Sequence, residues 1–305
     1  MPVVKDDKSS KLMHKPVLIQ EVLAYLAPMP GQTFLDVTFG TGGHTRAILE
    51  AEPKCNVIAM DWDQLALENY AMPMQEEFGD RLSLVWGNFS LLYKILKKEG
   101  IDSVDGVLAD FGTSQVQIAE RPGFSIYNDT PLDMRMSPPH QSVTAEHVIA
   151  KSSEEKLREI FWQLGEESFA KEIARAIVTA RNRSKRRIRT TGELAAIIEK
   201  AVPFRRRNIH PATKVFQALR IYINHELDNI GAFLPSAIDI LNPNGRLVCI
   251  SFHSLEDRLV KTFFKKQEQE KVLEILTPKV VEASEEEIRA NSSSRSAKLR
   301  AARKL

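Results

Sequence analysis

Along the first 110 residues the apolar positions change period several times, and each change marks an element. Val17, Leu18, Val22, Leu23 and Leu26 recur at helical spacing, before Pro28, Pro30 and Gly31 break the chain. Thr33 to Thr38 is β-rich and runs straight into Gly40, Gly42 and Gly43. Thr45 to Glu50 has a helical pattern. Asn56 to Met60, Leu82 to Trp86 and Val104 to Leu108 are short apolar runs that read as strands, the first ending in Asp61 and the last followed by Asp110. Strands interleaved with helices predict βαβ units around a parallel sheet.

That rhythm stops at Thr113. As far as Ser142 the pattern is that of a loop, with Pro122, Pro131, Pro138 and Pro139, and so long an irregular stretch marks function or disorder. From Ala145 to about Val202 the pattern is helical (Glu154 to Trp162, Glu167 to Ala180, Thr191 to Lys200) with no plausible strand. Sheet-type patterning then resumes, with a helix over Thr213 to Phe233, a strand over Arg246 to Ile250 and a helix from about Leu255 to Gln269. A chain that leaves a sheet and returns to it carries an insertion rather than a tandem pair. The expected organisation is a sheet domain over 1–137, a small all-helical domain inserted at 138–209, and the rest of the sheet domain over 210–305, ending in a basic tail.

Composition narrows the class without naming it. The 305 residues are 43% hydrophobic and 27% charged, as a soluble globular protein requires, which excludes a disordered chain, a fibre and a disulfide scaffold. Cys55 and Cys249 lie far apart with no Cys or His at ligand spacing, so neither a metal site nor a disulfide is expected. The first ten residues are charged with no apolar core, and no long uncharged apolar run exists, so neither a secretory signal nor a membrane span is expected and the cytoplasm is the expected compartment. A net charge of +2 is uninformative, but its distribution is not. Ten Lys or Arg residues lie between Arg181 and Arg207, Arg205, Arg206 and Arg207 among them, against Glu193 and Glu199; six more follow from Arg289 with no acid. Such clusters suit a polyanion, although a solvated helix face or a frayed tail would look the same.

The candidate chemistry starts at Phe34 to His44, which reads as strand, tight glycine turn and helix. Asp61 follows about twenty residues on, where a carboxylate can accept both hydroxyls of a ribose. A dinucleotide fingerprint needs a third glycine, and Thr45 stands in its place; no G-K-[ST] follows either. Asp36, just before the turn, would repel a pyrophosphate and suit an ammonium group. These features favour S-adenosylmethionine over NAD, while a purely structural glycine turn stays open. Asp110 falls at the carboxyl end of a strand, where open α/β sheets bind ligands. Phe89 is placed to pack on an adenine, or simply to fill the core.

Read as a whole, the chain resembles the bacterial methyltransferases that modify the exocyclic N4 of a cytidine in small-subunit (16S) ribosomal RNA. The resemblance rests on the Phe39–His44 loop, Arg121-Pro122-Gly123-Phe124-Ser125, Pro131-Leu132-Asp133-Met134-Arg135-Met136, His210-Pro211-Ala212-Thr213, Ser251-Phe252-His253-Ser254-Leu255-Glu256-Asp257-Arg258 and Arg295 to Arg300. It implies a Rossmann-like class I methyltransferase sheet with an inserted helical domain. It also implies S-adenosylmethionine held by Gly42, Gly43, His44, Asp61, Phe89, Asp110 and Gln117, and a small-subunit RNA partner within the small ribosomal subunit. His44 and Gln117 enter through the resemblance alone. The chain departs from the family at 113–119, where a serine, a proline and an aspartate of the usual pattern are missing.

For catalysis the first candidate is Asp110, as an acceptor for the N–H of a poorly nucleophilic amino group; His253 and Asp257 follow at the same sheet edge. Ser254 with Asp257 also reads as a helix-capping box, which would explain Asp257 without chemistry. Asp133 and Arg135 are candidates to order the long loop over the base or to grip a phosphate, and Arg205 to Arg207 to contact phosphates. Two rivals remain at this stage: a catalytically silent RNA-binding or ribosome-assembly protein on the same fold, and a nucleotide-dependent oxidoreductase.

Overall fold

The computed structural model describes residues 15–112, 121–184, 187–203 and 210–305. The chain forms two compact units, one of residues 1–116 with 229–305 and the other of residues 117–228.

The first unit opens with α1 (Ile19–Leu26), β1 (Thr33–Asp36), α2 (Gly43–Ala51) and β2 (Asn56–Asp61). A helical stretch unmarked by the sequence pattern follows: α3 (Gln64–Ala66), one π turn (Leu67–Ala71) and α4 (Met72–Phe78). Then come β3 (Leu82–Trp86), α5 (Leu92–Lys98) and β4 (Val104–Asp110).

The second unit holds α6 (Ala145–Lys151), α7 (Glu154–Gly165), α8 (Ala170–Ser184), α9 (Thr191–Ala201) and α10 (Thr213–Asn224). After it the chain continues through α11 (Glu226–Asp239), β5 (Leu241–Ser251), α12 (Ser254–Gln269), β6 (Leu273–Ile275), β7 (Val281–Glu282), α13 (Glu285–Ala290) and β8 (Lys298–Lys304).

The strands form one sheet in the order β3-β2-β1-β4-β5-β8-β6, with β7 also on β8. The first five are parallel, and β8 runs antiparallel between β5 and β6. Alternating side chains go to opposite faces, as the pleat requires. Leu35, Val107, Ala109, Leu247 and Cys249 join a core completed by α5, α11 and α12. Their neighbours Phe34, Leu108, Val248 and Ile250 join the other core, with α1 and α2. Burial on both faces is why these strands read as unbroken apolar runs.

Among the described residues of 117–228 no strand joins the sheet. This unit is wider than the expected 138–209 because its core also takes Leu132 and Met134 from the preceding loop and Val215, Phe216 and Leu219 from α10. The expected helix over Thr213 to Phe233 is two helices, since His225 adopts a left-handed conformation (φ 51°) that ends α10. The loop is fastened within its own unit. Asn224, fully buried, donates to the Met134 carbonyl at 2.9 Å and accepts from the Met136 N–H at 2.8 Å. Leu132 N–H bonds Arg189 O at 2.8 Å, next to an isolated bridge between Pro131 and Thr190.

The basic tail expected at the C-terminus is instead strand β8. Its Leu299, Ala301 and Ala302 are buried, and three of its four cations have partners. Arg300 holds Asp257 of α12 through two bonds of 2.6 and 3.1 Å, Arg303 pairs with Glu274, and Lys304 donates to Ile238 O and Leu241 O. Arg300→Ala would leave a largely buried carboxylate without its partner. The expected cost is about 2 kcal/mol, below the fully buried range because some solvent access remains. A Tm lowered by a few degrees in thermal melting checks this; an unchanged Tm contradicts it.

Candidate active site

Three parallel strands end in an aspartate at the same edge of the sheet: Asp36 on β1, Asp61 on β2 and Asp110 on β4. The pairing of β1 with both β2 and β4 brings these ends together. The chain then turns sharply. Phe39 N–H bonds Met60 O, Gly42 N–H bonds Phe39 O, and α2 begins at Gly43. Gly42 sits at φ 81°, in the left-handed region, and a Cβ there would lie 2.5 Å from Met74 Cε and 2.6 Å from Phe39 Cζ. At Gly43 a Cβ would meet Pro16 at 2.6 Å. The sequence placed these glycines for the close approach of a ligand, whereas in the structure the close approach is that of the protein's own side chains.

Asp36 also departs from expectation. It is 1% exposed, and its carboxylate accepts from Thr38 N–H at 3.1 Å and Thr45 Oγ1 at 2.8 Å. It therefore braces the turn instead of presenting itself to an ammonium group. The Thr38 hydroxyl extends the brace by accepting Asp110 N–H at 2.7 Å. Neither Thr38 nor Thr45 was given this bracing role from sequence, because a lone threonine carries no signal for it.

Asp61 accepts from Gly40 N–H and from Asp63 N–H, each at 2.7 Å. Burial, reinforced by the negative charges of Asp63 and Asp36 and offset in part by those two N–H bonds, raises its pKa to about 7. Asp110 is raised to about 6, chiefly by burial; His44 opposes the shift, and Asp36 and Glu256 add to it. The Oδ1 atom of Asp110 is buried and has no hydrogen-bond partner among the described residues. Its Oδ2 lies 3.7 Å from His44 Nδ1. Because His44 Nε2 is 2.8 Å from the Val17 carbonyl, which can only accept, Nε2 carries a proton, and Nδ1 is the ring nitrogen that faces Asp110.

Phe89 follows β3 and is half-buried, 5.5 Å from Phe233 and 5.9 Å from Phe111 between ring centroids. It is thus a core aromatic that keeps part of its surface open.

His253 and Asp257 lie after β5, at the same edge, but both have structural work. His253 is the N-cap of α12: its side chain accepts from Glu256 N–H while Glu256 accepts from the His253 N–H. The capping box is therefore His253 with Glu256, not Ser254 with Asp257. Glu256 is fully buried and also accepts from Phe252 N–H at 2.8 Å. Its spacing, three residues after the cap, was the available signal. Asp257 is bound by Arg300, as described above. In the second unit Asp133 and Arg135 bond each other at 2.7 and 2.8 Å, and Arg135 also donates to Gln141 O. Their partners are thus within the chain, and the Arg135 ion pair outweighs the opposing effect of partial burial in holding Asp133 below the usual carboxylate range. Gln117, Arg205, Arg206, Arg207 and the altered 113–119 stretch lie outside the described residues.

The edge of the sheet thus carries a group of buried and partly buried carboxylates, with His44 as the only candidate cation among the groups that act on Asp36 and Asp110. Such a site repels phosphates and suits a ligand bearing sulfonium and ammonium charges together with a ribose diol. The donor set and the unpartnered Oδ1 of Asp110 both fit S-adenosylmethionine. Strand order 3-2-1-4-5 with an antiparallel strand next to β5, an inserted helical unit and this site define a Rossmann-like class I methyltransferase.

The MraW methylase family matches residues 11–305, and the chain belongs to that family. It is a methyltransferase with S-adenosylmethionine as methyl donor. Its relatives include the ribosomal RNA small subunit methyltransferase H of Thermomicrobium roseum, 45% identical and covering 96% of this chain and 94% of that one. Proteins of the same name from Carboxydothermus hydrogenoformans and Rickettsia felis are 43% and 42% identical, each covering 96% of this chain and 98% of its own length. Among the described residues no helix is long and apolar enough to cross a membrane.

Proposed function

We propose that the protein transfers a methyl group from S-adenosylmethionine to the exocyclic N4 of a cytidine in 16S ribosomal RNA, acting in the cytoplasm on RNA within the small ribosomal subunit. Full-length similarity to proteins named for small-subunit ribosomal RNA methylation supports the substrate class, and the motif resemblance supports cytidine N4. The observation within the site that carries the reading is the buried, unpartnered Oδ1 of Asp110 at the end of β4.

The cofactor supplies a methyl group already activated on a sulfonium, so the chain's own task is alignment and electrostatics. Asp61, pinned by two backbone N–H groups, accepts the ribose hydroxyls. Phe89 offers its open surface to the adenine, and the turn at Gly42, Gly43 and His44 forms the wall between them, with Gln117 assigned to the same group by resemblance. Asp110 accepts an N–H of the target amino group, which orients the nitrogen and stabilises positive charge as it develops there. His253 and Glu256 fix the start of α12 behind this carboxylate and act by position. Arg205, Arg206 and Arg207 contact phosphates and supply affinity without reading sequence.

Transfer of radiolabelled methyl to small-subunit RNA, mapped by nuclease digestion and mass spectrometry, tests the assignment. Label on cytidine N4 is expected. Label on a ring carbon, a ribose or protein would overturn the substrate, and tight RNA binding with no transfer would favour an assembly role.

A further inference from the structure

The helical unit carries a second concave, charged feature, independent of the carboxylate site. A cleft of about 470 Å³ is lined by His147 and Lys151 of α6, Arg181 and Asn182 in the last turn of α8, and Arg187 just beyond it. That volume falls within the roughly 300–1,000 Å³ of small-ligand sites. Its lining holds three basic side chains, Lys151, Arg181 and Arg187, against one carboxylate, Glu146. Lys151 and Arg187 are exposed, and no ion pair joins Lys151, Arg181 or Arg187 to an acid among the described residues.

The local structure makes this more than a solvated patch. Two helices end here, and helix C-termini present carbonyl oxygens that would repel an anion. Arg181 cancels part of that field: its Nη1 donates to Ile149 O, in the last turn of α6, at 2.7 Å. The bond uses one of the five N–H donors of the guanidinium and leaves the others for a ligand. A guanidinium fork flanked by two exposed cations matches a phosphodiester, which takes two parallel N–H bonds from arginine and further point charges on its free oxygens. Like charges gathered in a concavity repel one another until an anion enters.

We infer that this cleft is an anchor for the RNA backbone, taking phosphodiesters through Arg181, Arg187 and Lys151. The inference rests on the reading of the chain as an RNA methyltransferase. It adds a binding site built from residues upstream of Arg205 to Arg207 and from α6, which lies outside the basic run altogether.

The test measures binding of a small-subunit ribosomal RNA fragment to the full-length protein by fluorescence anisotropy across a salt series, with Lys151→Ala/Arg187→Ala beside the unaltered chain. Both side chains are exposed, so the variant is expected to fold, and an unchanged melting temperature and S-adenosylmethionine affinity would show that it does. Affinity is expected to fall about 10- to 100-fold, and the slope of log K against log salt to shrink by about 1.4, from roughly 0.7 per single-strand phosphate contact. Turnover at saturating RNA should stay the same, since neither residue is among those of the carboxylate site. Arg181→Lys, which keeps the charge and loses the fork, should weaken binding with little change of slope. Unchanged affinity and slope in the double variant, or weaker binding with an unchanged slope, would overturn the anchor. If the unaltered protein binds RNA but methylates something other than cytidine N4, the proposed function fails while this binding result stands.

Discussion

Replacing Asp110 by alanine is expected to lower methyl-transfer turnover by about 10² to 10³, the scale of one preorganised electrostatic contact, and replacing it by asparagine to lower it distinctly less. The difference follows from the two carboxylate oxygens having different surroundings. Oδ1 is buried and unpartnered, and is the acceptor offered to the amino group. Oδ2 faces His44 Nδ1 at 3.7 Å. An asparagine can keep its carbonyl where Oδ1 lies, with its NH₂ in the place of Oδ2, so geometry and some acceptor strength survive; alanine keeps neither. The pH profile gives a second, independent readout. Burial raises Asp110 to about pH 6, so the ionised acceptor disappears as pH falls through that value. Turnover should rise with pH through about 6 and then level off, and this limb should vanish in Asp110→Asn. Single-turnover transfer of labelled methyl checks both. Full activity in Asp110→Ala would remove Asp110 from the mechanism.

How much of this was legible beforehand depends on where each signal lay. The three strand-terminal aspartates were visible because parallel strands buried on both faces are short apolar runs, and a carboxylate ending such a run falls at the edge of the sheet. The turn was visible for a related reason: glycines cluster where φ is positive, as at Gly42. The purpose of those glycines was hidden, since Met74, Phe39 and Pro16 approach them from other parts of the chain. Strand β8 was hidden outright. Lys298 to Lys304 alternates too weakly to suggest a strand, and its charges look solvated until Asp257 and Glu274, 43 and 29 residues away, are brought alongside. The break between α10 and α11 had no glycine or proline to announce it, because His225 itself takes the left-handed cap. The capping box was misplaced by one residue, since serine is the commoner cap and histidine does the work here. Local signals thus located the site, and contacts distant in sequence decided which of its side chains are free to act.

Asp61→Ala is expected to weaken S-adenosylmethionine binding by about 2 to 4 kcal/mol, the loss of charge-assisted bonds to two hydroxyls in a buried setting. Asp61→Asn should be nearly as damaging, in contrast to Asp110→Asn. Both Asp61 oxygens already accept backbone N–H groups, from Gly40 and Asp63, so an amide would set its NH₂ against one of those donors. The same burial that makes the contact strong makes it pH-dependent. With a pKa of about 7, Asp61 is half-protonated near neutrality before the cofactor arrives, and hydroxyl donors bind the ionised form. Affinity should therefore fall as pH drops below 7 and plateau above about 8, and binding near pH 7 should release about half a proton from this group. Stability runs the other way. A carboxylate whose folded pKa is raised favours the folded state below its unfolded value of 3.8, and that contribution is lost as pH rises through about 7. The decline in Tm of cofactor-free protein between pH 5 and pH 8 should thus be smaller in Asp61→Ala, which also loses cofactor affinity. Titration calorimetry in buffers of differing ionisation enthalpy measures the released proton, and melting curves at two pH values measure the stability. Proton release that persists unchanged in Asp61→Ala, or binding that is indifferent to the substitution, would place the ribose elsewhere.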